Sequence, residues 1–286
     1  MKRRTFLKRF FGGIIAALGL GGGTYYYARE IEPALLDKHH FDIVSSKIPA
    51  SFEGYTILQF SDTHIGFHYT VEQLTELVNK INQLEPDIIV FTGDLLDNPR
   101  TYQADNRLVN ALKNIQAKDG KFWIYGNHDH GGYGTETLKD IFDQSDFELL
   151  QNGHRQIEKN GDMINLAGID DALLGQPDLT AALSGLNEDN LTILLAHEPD
   201  YAEVAKNYPV DVQLSGHSHG GQVQLPFIGY IYTPPLAEFY VEGYYPVGEK
   251  PLQLFVSRGI GTTRAPYRFL CKPEITLYHL KKSTIN

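Results

Sequence analysis

Five short islands of potential metal ligands punctuate this chain. They are Asp62 with His64; Gly93, Asp94 and Asp97; Gly126, Asn127, His128 and Asp129; His197 with Glu198; and Gly216, His217 and His219. Each follows a short apolar run. Carboxylate, imidazole and amide oxygen form a donor set suited to divalent cations. The islands supply enough donors for two adjacent ions, and a two-metal site of this composition is built to cleave phosphoesters. Asp62 and His64, two apart, can project into one loop. Gly93 permits a tight turn just before Asp94, whose two carboxylate oxygens can bridge two cations. Metal coordination can lower the pKa of water from about 15.7 to roughly 7, so such a site needs no serine or cysteine nucleophile.

Residues more than 150 positions apart meet only if the elements that carry them end at one place. Residues 55–60 (YTILQF), 87–91 and 122–125 have the character of strands. Between them, Leu74, Leu77, Val78 and Ile81 recur at helical spacing behind Thr70, a plausible cap. Leu108, Val109, Leu112 and Ile115 predict a second helix, and residues 135–147 a third. Strands alternating with helices predict parallel pairing. The second half is richer in strands, with a hairpin at Asn160-Gly161 and short strands at 191–196, 212–214, 222–225, 252–256 and 275–279. The order fits an α/β fold: a four-layer α/β/β/α sandwich of two mixed sheets flanked by helices. Asp62, Asp94, Asn127, His197 and His217 each lie just past a predicted strand, which places a dinuclear site at the C-terminal edge of the strands.

The ordered series DxH, GDxxD, GNH[DE], a lone His and GHxH closely resembles the calcineurin-like metallophosphoesterase superfamily. The resemblance runs from Asp62 to His219, and Pro273-Glu274-Ile275 extends it towards the C-terminus. It implies one metal ion held by Asp62, His64, Asp94 and His219, and a second held by Asp94, Asn127, His197 and His217. The ions implied are Mn, Fe or Zn. A hydroxide bridging them would attack phosphorus in line with the leaving oxygen. His128 would hydrogen-bond the phosphate or protonate the leaving group, with Asp97 orienting it. Two ligand carboxylates against two divalent ions leave about +2, which attracts a phosphate diester. The block from Gly216 to Gln222 and the N-terminus look similar to the exported bacterial branch that includes wall-associated phosphoesterases of Bacillus.

The N-terminus reads as an export address. Arg3, Arg4, Phe6, Leu7 and Lys8 match the twin-arginine pattern RRxFLK, and residues 10–28 follow without a charge. Those 19 residues approach the roughly 20 that span a bilayer, so residues 1–30 are read as a signal or anchor. Residues 31–50, with Pro33, His39, His40 and Pro49, read as a connector, and 51–286 as the metallophosphoesterase domain. Cys271 is the sole cysteine. Export of an already folded chain by the twin-arginine machinery would need no disulfide.

Net charge is −10, and the five basic residues of the leader leave 20 basic against 35 acidic side chains in the rest. That body repels nucleic acid, and no stable nucleic-acid partner is expected. The reading is an exported phosphoesterase in the cell wall or on the outer face of the cytoplasmic membrane. Its substrate would be a phosphodiester or pyrophosphate, either a wall polymer or lipid-linked. One alternative is a pyrophosphatase acting on a UDP-2,3-diacylglucosamine-type substrate, with the aromatic residues of 227–245 accepting acyl chains. Another is a catalytically idle wall- or membrane-binding protein. Arg258 and Arg264, flanking a Gly-rich turn, are candidate phosphate contacts or ordinary surface arginines.

Overall fold

The computed structural model describes Gly19 and residues 21–103, 106–130, 134–249 and 251–283. The paired arginines and most of the leader lie outside the described residues. In chain order the strands are β1 (Asp37–Ser45), β2 (Thr56–Phe60), β3 (Ile88–Phe91), β4 (Gly120–Trp123), β5 (Glu148–Leu149), β6 (Gly153–Lys159) and β7 (Asp162–Gly168). The second half adds β8 (Thr192–Leu195), β9 (Val212–Ser215), β10 (Gln224–Leu225), β11 (Gly229–Tyr230), β12 (Gly243–Val247), β13 (Leu252–Val256) and β14 (Glu274–Lys282). The helices are α1 (Val71–Asn82), α2 (Asn106–Lys113), α3 (Asn127–His130), α4 (Thr135–Gln144), α5 (Leu179–Leu183) and α6 (Ala202–Ala205).

One sheet has the order β1-β14-β2-β3-β4-β5 and the other β12-β13-β9-β8-β7-β6. Both are mixed: β2-β3-β4 and β7-β8-β9-β13 pair in parallel, whereas β14 runs antiparallel to β2 and β6 to β7. Period-2 alternation along the strands makes the layers. Leu58, Phe60, Ile89 and Phe91 pack against Leu74, Ile81 and Leu112 of the helices. Ile57, Ile88 and Val90, one residue out of step, meet Ile193, Leu195 and Leu214 of the second sheet. Leu194 and Leu254 face outwards, onto Ala182 and Ala205 of α5 and α6. The expected four-layer α/β/β/α sandwich is therefore observed.

Local chemistry accounts for the element ends. Thr70 and Gln73 form a reciprocal capping box at the start of α1, a device whose cap alone contributes about 1 kcal/mol. Asn160 and Gly161 both take positive φ, as the tight turn between β6 and β7 requires. Buried Gln59 joins the two sheets: it donates to Thr92 Oγ1 at 2.9 Å and to the Ser215 carbonyl at 3.0 Å, and accepts from Tyr278 Oη at 2.6 Å.

The expected connector needs correction. Residues 37–45 are not a linker but β1, which pairs in parallel with β14 along its whole length. The sequence DKHHFDIVS fully buries only Ile43 and leaves polar side chains on the other face, as an edge strand does. The chain before it is also tied to the body: residues 21–31 are helical, and the Glu32 carboxylate, itself buried, accepts from the Cys271 amide at 2.5 Å. Among the described residues no helix is long and apolar enough to cross a membrane.

Candidate metal centre

Parallel strands β2, β3 and β4 of one sheet and β8 and β9 of the other all end on the same side. Asp62, Asp94, Asn127, His197 and His217 follow those ends by two to four residues. Asp62, His64, Asp94, His217 and His219 all have positive φ. Such backbone costs on the order of 1–3 kcal/mol per residue and persists only where surrounding contacts impose it. Those contacts are present. The Asp62 amide donates to the Gly93 carbonyl at 2.9 Å, the His64 amide to the Asp94 carbonyl at 3.2 Å, and the Gly261 amide to the Asp62 carbonyl at 2.7 Å. The loops close so tightly that a Cβ on Gly126 would lie 2.3 Å from Asp94 Oδ1, and one on Gly216 would lie 2.3 Å from Asp62 Oδ2.

The side chains form two nests that meet at Asp94. In the first, His64 Nε2 and His219 Nε2 face each other at 3.0 Å, and Asp62 Oδ1 is 3.5 Å from His219 Nε2. Asp94 Oδ2 is 3.5 Å from His64 Nε2 and 3.3 Å from His197 Nε2, so one oxygen borders both nests. The second nest brings Asp94, His197 and His217 together with ligand atoms within 4.8 Å of one another. Donors about 2.1 Å from a common ion stand roughly 3.0–3.5 Å apart, and the spacings here match.

The hydrogen bonding fits cations as well. His197 Nδ1 is held by the Thr92 carbonyl at 2.6 Å and His217 Nε2 by the Pro235 carbonyl at 2.9 Å. Each ring is fixed by one nitrogen, which leaves the other to ligate. Asn127 Oδ1 and His197 Nε2 are buried with no hydrogen-bond partner, a costly arrangement unless a ligand meets them. Burial lowers His64 to about 3 and His217 to about 4, which keeps both rings in the neutral form that ligation requires. At His197 burial also acts downwards, but the adjacent Asp94 carboxylate outweighs it and raises the imidazole well above its ordinary value. The centre draws positive charge.

The catalytic candidates flank these nests. His128 lies beside His64, ring centroids 4.6 Å apart, and its amide donates to Asp94 Oδ1 at 2.8 Å. Asp97 orients His128 through its backbone: the carbonyl contacts His128 Nδ1 at 2.7 Å, whereas the carboxylate stands 3.9 Å away and nearer to His64 Nδ1, at 3.6 Å. The structure thus brings together all nine residues singled out in the sequence. His130 turns away to pair with Asp170 at 2.7 Å, and His68 packs on Phe67. Arg258 is committed to Glu274 and Asp37, while Arg264 lies at the cleft rim over the Tyr232 ring, 5.0 Å from its centroid.

Two residues essential to this geometry carried no role in the sequence reading. Asp129, fully buried, accepts from the amides of Asp94, Gly126 and Leu95 at 2.8, 2.9 and 3.1 Å and so clamps two ligand loops together. Arg268, also fully buried, donates to the carbonyls of Arg258, Gly259, Gly261 and Cys271. It holds the loop whose Ile260 and Gly261 amides fasten Ser61 and Asp62. The fourth position of the Gly126–Asp129 island was the only available signal for Asp129. Arg268 gave none, because apart from the Cys271 thiol its partners are backbone carbonyls.

A cavity of about 310 Å³ opens over the centre. Asn127, His128 and His217 form its floor, and Ile231, Tyr232 and Pro234 an apolar outer wall.

Comparison with known proteins agrees with this geometry. The family model described as calcineurin-like phosphoesterase matches residues 55–221. The uncharacterized metallophosphoesterase YkuE of Bacillus subtilis is 46% identical over 284 residues, covering 99% of each chain. A transmembrane protein with a metallophosphoesterase domain from Danio rerio is 30% identical, over 98% of this chain and 63% of that protein. The UDP-2,3-diacylglucosamine pyrophosphatase LpxG of Chlamydia muridarum is 28% identical, over 89% of this chain and 92% of its own. With its two ligand nests joined at Asp94, the chain belongs to the calcineurin-like phosphoesterase family and is a metal-dependent phosphoesterase.

Proposed function

We propose that this protein is an exported dinuclear phosphoesterase that hydrolyses a phosphodiester or pyrophosphate bond in an envelope substrate. The observation that carries the chemistry is Asp94 Oδ2, within 3.5 Å of imidazole nitrogens from both nests. Asp62, His64, Asp94 and His219 would hold one ion, and Asp94, Asn127, His197 and His217 the other. When bound, the pair supplies an activated water and positive charge for the phosphoryl oxygens. The chain's own residues do the rest. His128, with Nδ1 engaged by the Asp97 carbonyl, has Nε2 free to bond a phosphoryl oxygen or pass a proton to the leaving oxygen. The Asp94 carboxylate raises His128 above its ordinary value against the effect of burial, which favours a proton donor. All seven proposed ligands are of ligating types, which speaks against an idle binding protein.

The envelope location rests on the twin-arginine pattern at Arg3 and Arg4, with the export machinery as partner and the wall or outer membrane face as destination. The acidic body argues against nucleic acid as substrate. A second reading, a pyrophosphatase of the UDP-2,3-diacylglucosamine type, is favoured by the apolar outer wall of the cleft and by the likeness to LpxG over most of both chains.

The test is hydrolysis of a generic aryl phosphodiester and its monoester by the full chain, stripped of metal and then titrated with Mn²⁺. Diester turnover should return with metal, and His128→Ala should lower it by about 10²–10⁴-fold with metal content unchanged. Unimpaired turnover in that variant would contradict the role given to His128. Cell fractionation of the chain with Arg3 and Arg4 both changed to Lys should show it retained in the cytoplasm; unchanged export would remove the twin-arginine assignment.

A further inference from the structure

From His217 to Ala237 the chain contains no Asp, Glu, Lys or Arg, although the body is strongly acidic. Within this run β10 and β11 form a two-stranded hairpin that joins neither large sheet. Its turn is closed by the Ile228 amide on the Leu225 carbonyl at 3.2 Å. Phe227 occupies that turn with φ +67°, a conformation that glycine or asparagine adopts cheaply and a bulky aromatic does not. The strained residue gains no burial in return: Phe227 is fully exposed, and Ile228 and Ile231 are 74% and 61% exposed. An exposed apolar cluster of this kind marks an interaction surface.

The position of the hairpin indicates what that surface meets. The Gln224 amide donates to the Phe269 carbonyl at 2.8 Å, and the Phe269 amide to the Gln222 carbonyl at 3.0 Å, which fastens the hairpin to segment 267–269. The same segment carries the N-terminal helical residues. The Arg268 amide donates to the Ala28 carbonyl at 2.9 Å, and the rings of Tyr25 and Tyr27 pack on Tyr267 and Phe269. Residues 25–28, which close the uncharged stretch of the sequence, therefore lie on the face from which the hairpin projects.

We propose that the β10–β11 tip inserts into a lipid bilayer, with Phe227 and Ile228 among the acyl chains and Tyr230 and Tyr232 at headgroup level. Tyrosine suits that level because its ring is apolar and its hydroxyl polar. Arg264, stacked on Tyr232, meets the lipid phosphates. An anionic surface repels the acidic body, so contact is confined to the uncharged tip. Ile231 and Tyr232 also form the outer wall of the cleft, which then opens at the membrane surface. The inference rests on the envelope reading above only for the presence of a bilayer.

The test uses the full chain in vesicles of equal parts phosphatidylethanolamine and phosphatidylglycerol that carry nitroxide-labelled acyl chains. Trp123 is the sole tryptophan and is buried, so it gives a constant background. Phe227→Trp should shift its emission to the blue and be quenched by the labelled lipid several times more strongly than Met163→Trp on β7. Equal quenching at the two positions would overturn the proposal. A blue shift without lipid quenching, the sign of a second copy covering the tip, would overturn it as well. Phe227→Asp should also lower turnover of a vesicle-embedded phosphodiester about tenfold while leaving a water-soluble one unchanged; an equal fall on both would count against insertion. The fluorescence readout needs no turnover, so insertion and the catalytic reading can fail separately.

Discussion

The proposed ligands are held by groups that never touch an ion. Thr92 and Pro235 fix the rings of His197 and His217 through their carbonyls, and the Asp97 carbonyl does the same for His128. The pair His130–Asp170, at 2.7 Å, acts at the next remove, closing the end of α3 against the loop after β7. Burial lowers the His130 imidazole and raises the Asp170 carboxyl, but their contact, joined at Asp170 by hydrogen bonds from the Gln176 amide and the Gln151 side chain, outweighs it on both. It lifts His130 above its ordinary value and takes Asp170 down to about 2. The stabilisation from His130 is complete below the ordinary imidazole value of about 6.5 and is lost as pH rises through the raised one. That from Asp170 is complete above about 3.9 and fades as pH falls towards the depressed one. Replacing His130 by Gln should therefore cost about 2 kcal/mol between about pH 4 and pH 6.5, and less on either side. Thermal melts of both proteins across pH check this, and a pH-independent difference would contradict it.

At the scale of elements, the strand ends do the converging and the loops after them carry the strain. Arg268 shows how a loop is kept in place: its guanidinium satisfies four carbonyls around Gly259 and Gly261, and that loop in turn grips Asp62. Arg268→Leu should strand those carbonyls and destabilise the protein by about 3 kcal/mol or more, read as a lower denaturant midpoint. A change under about 0.5 kcal/mol, typical of surface positions, would contradict the role. Such a residue was not legible in the sequence, because nothing about an arginine reveals that its partners will be backbone oxygens. The ligand islands were legible, since their chemistry lies in the side chains and each follows an apolar run that could only be a buried strand. β1 escaped because DKHHFDIVS buries one face against a single neighbour and looks polar. β12, with the sequence GYYPV, escaped because Pro246 and its half-exposed tyrosines resemble a loop.

Over the whole molecule, two sheets bring five strand ends to one edge, and the acidic surface is broken there by a neutral, aromatic margin. Net charge and the local field would thus act in different places: the acidic body would repel polyanions, while a metal pair held at the bottom of the cleft would draw a single phosphate. The site depends on Asp94 serving the two nests at once. The most direct test of that claim is metal content by mass spectrometry on the full chain and on single substitutions. Two ions per chain are expected in the parent and one in His197→Ala, with both lost and turnover abolished in Asp94→Ala. One ion or none in the parent, or two retained without Asp94, would contradict the shared centre.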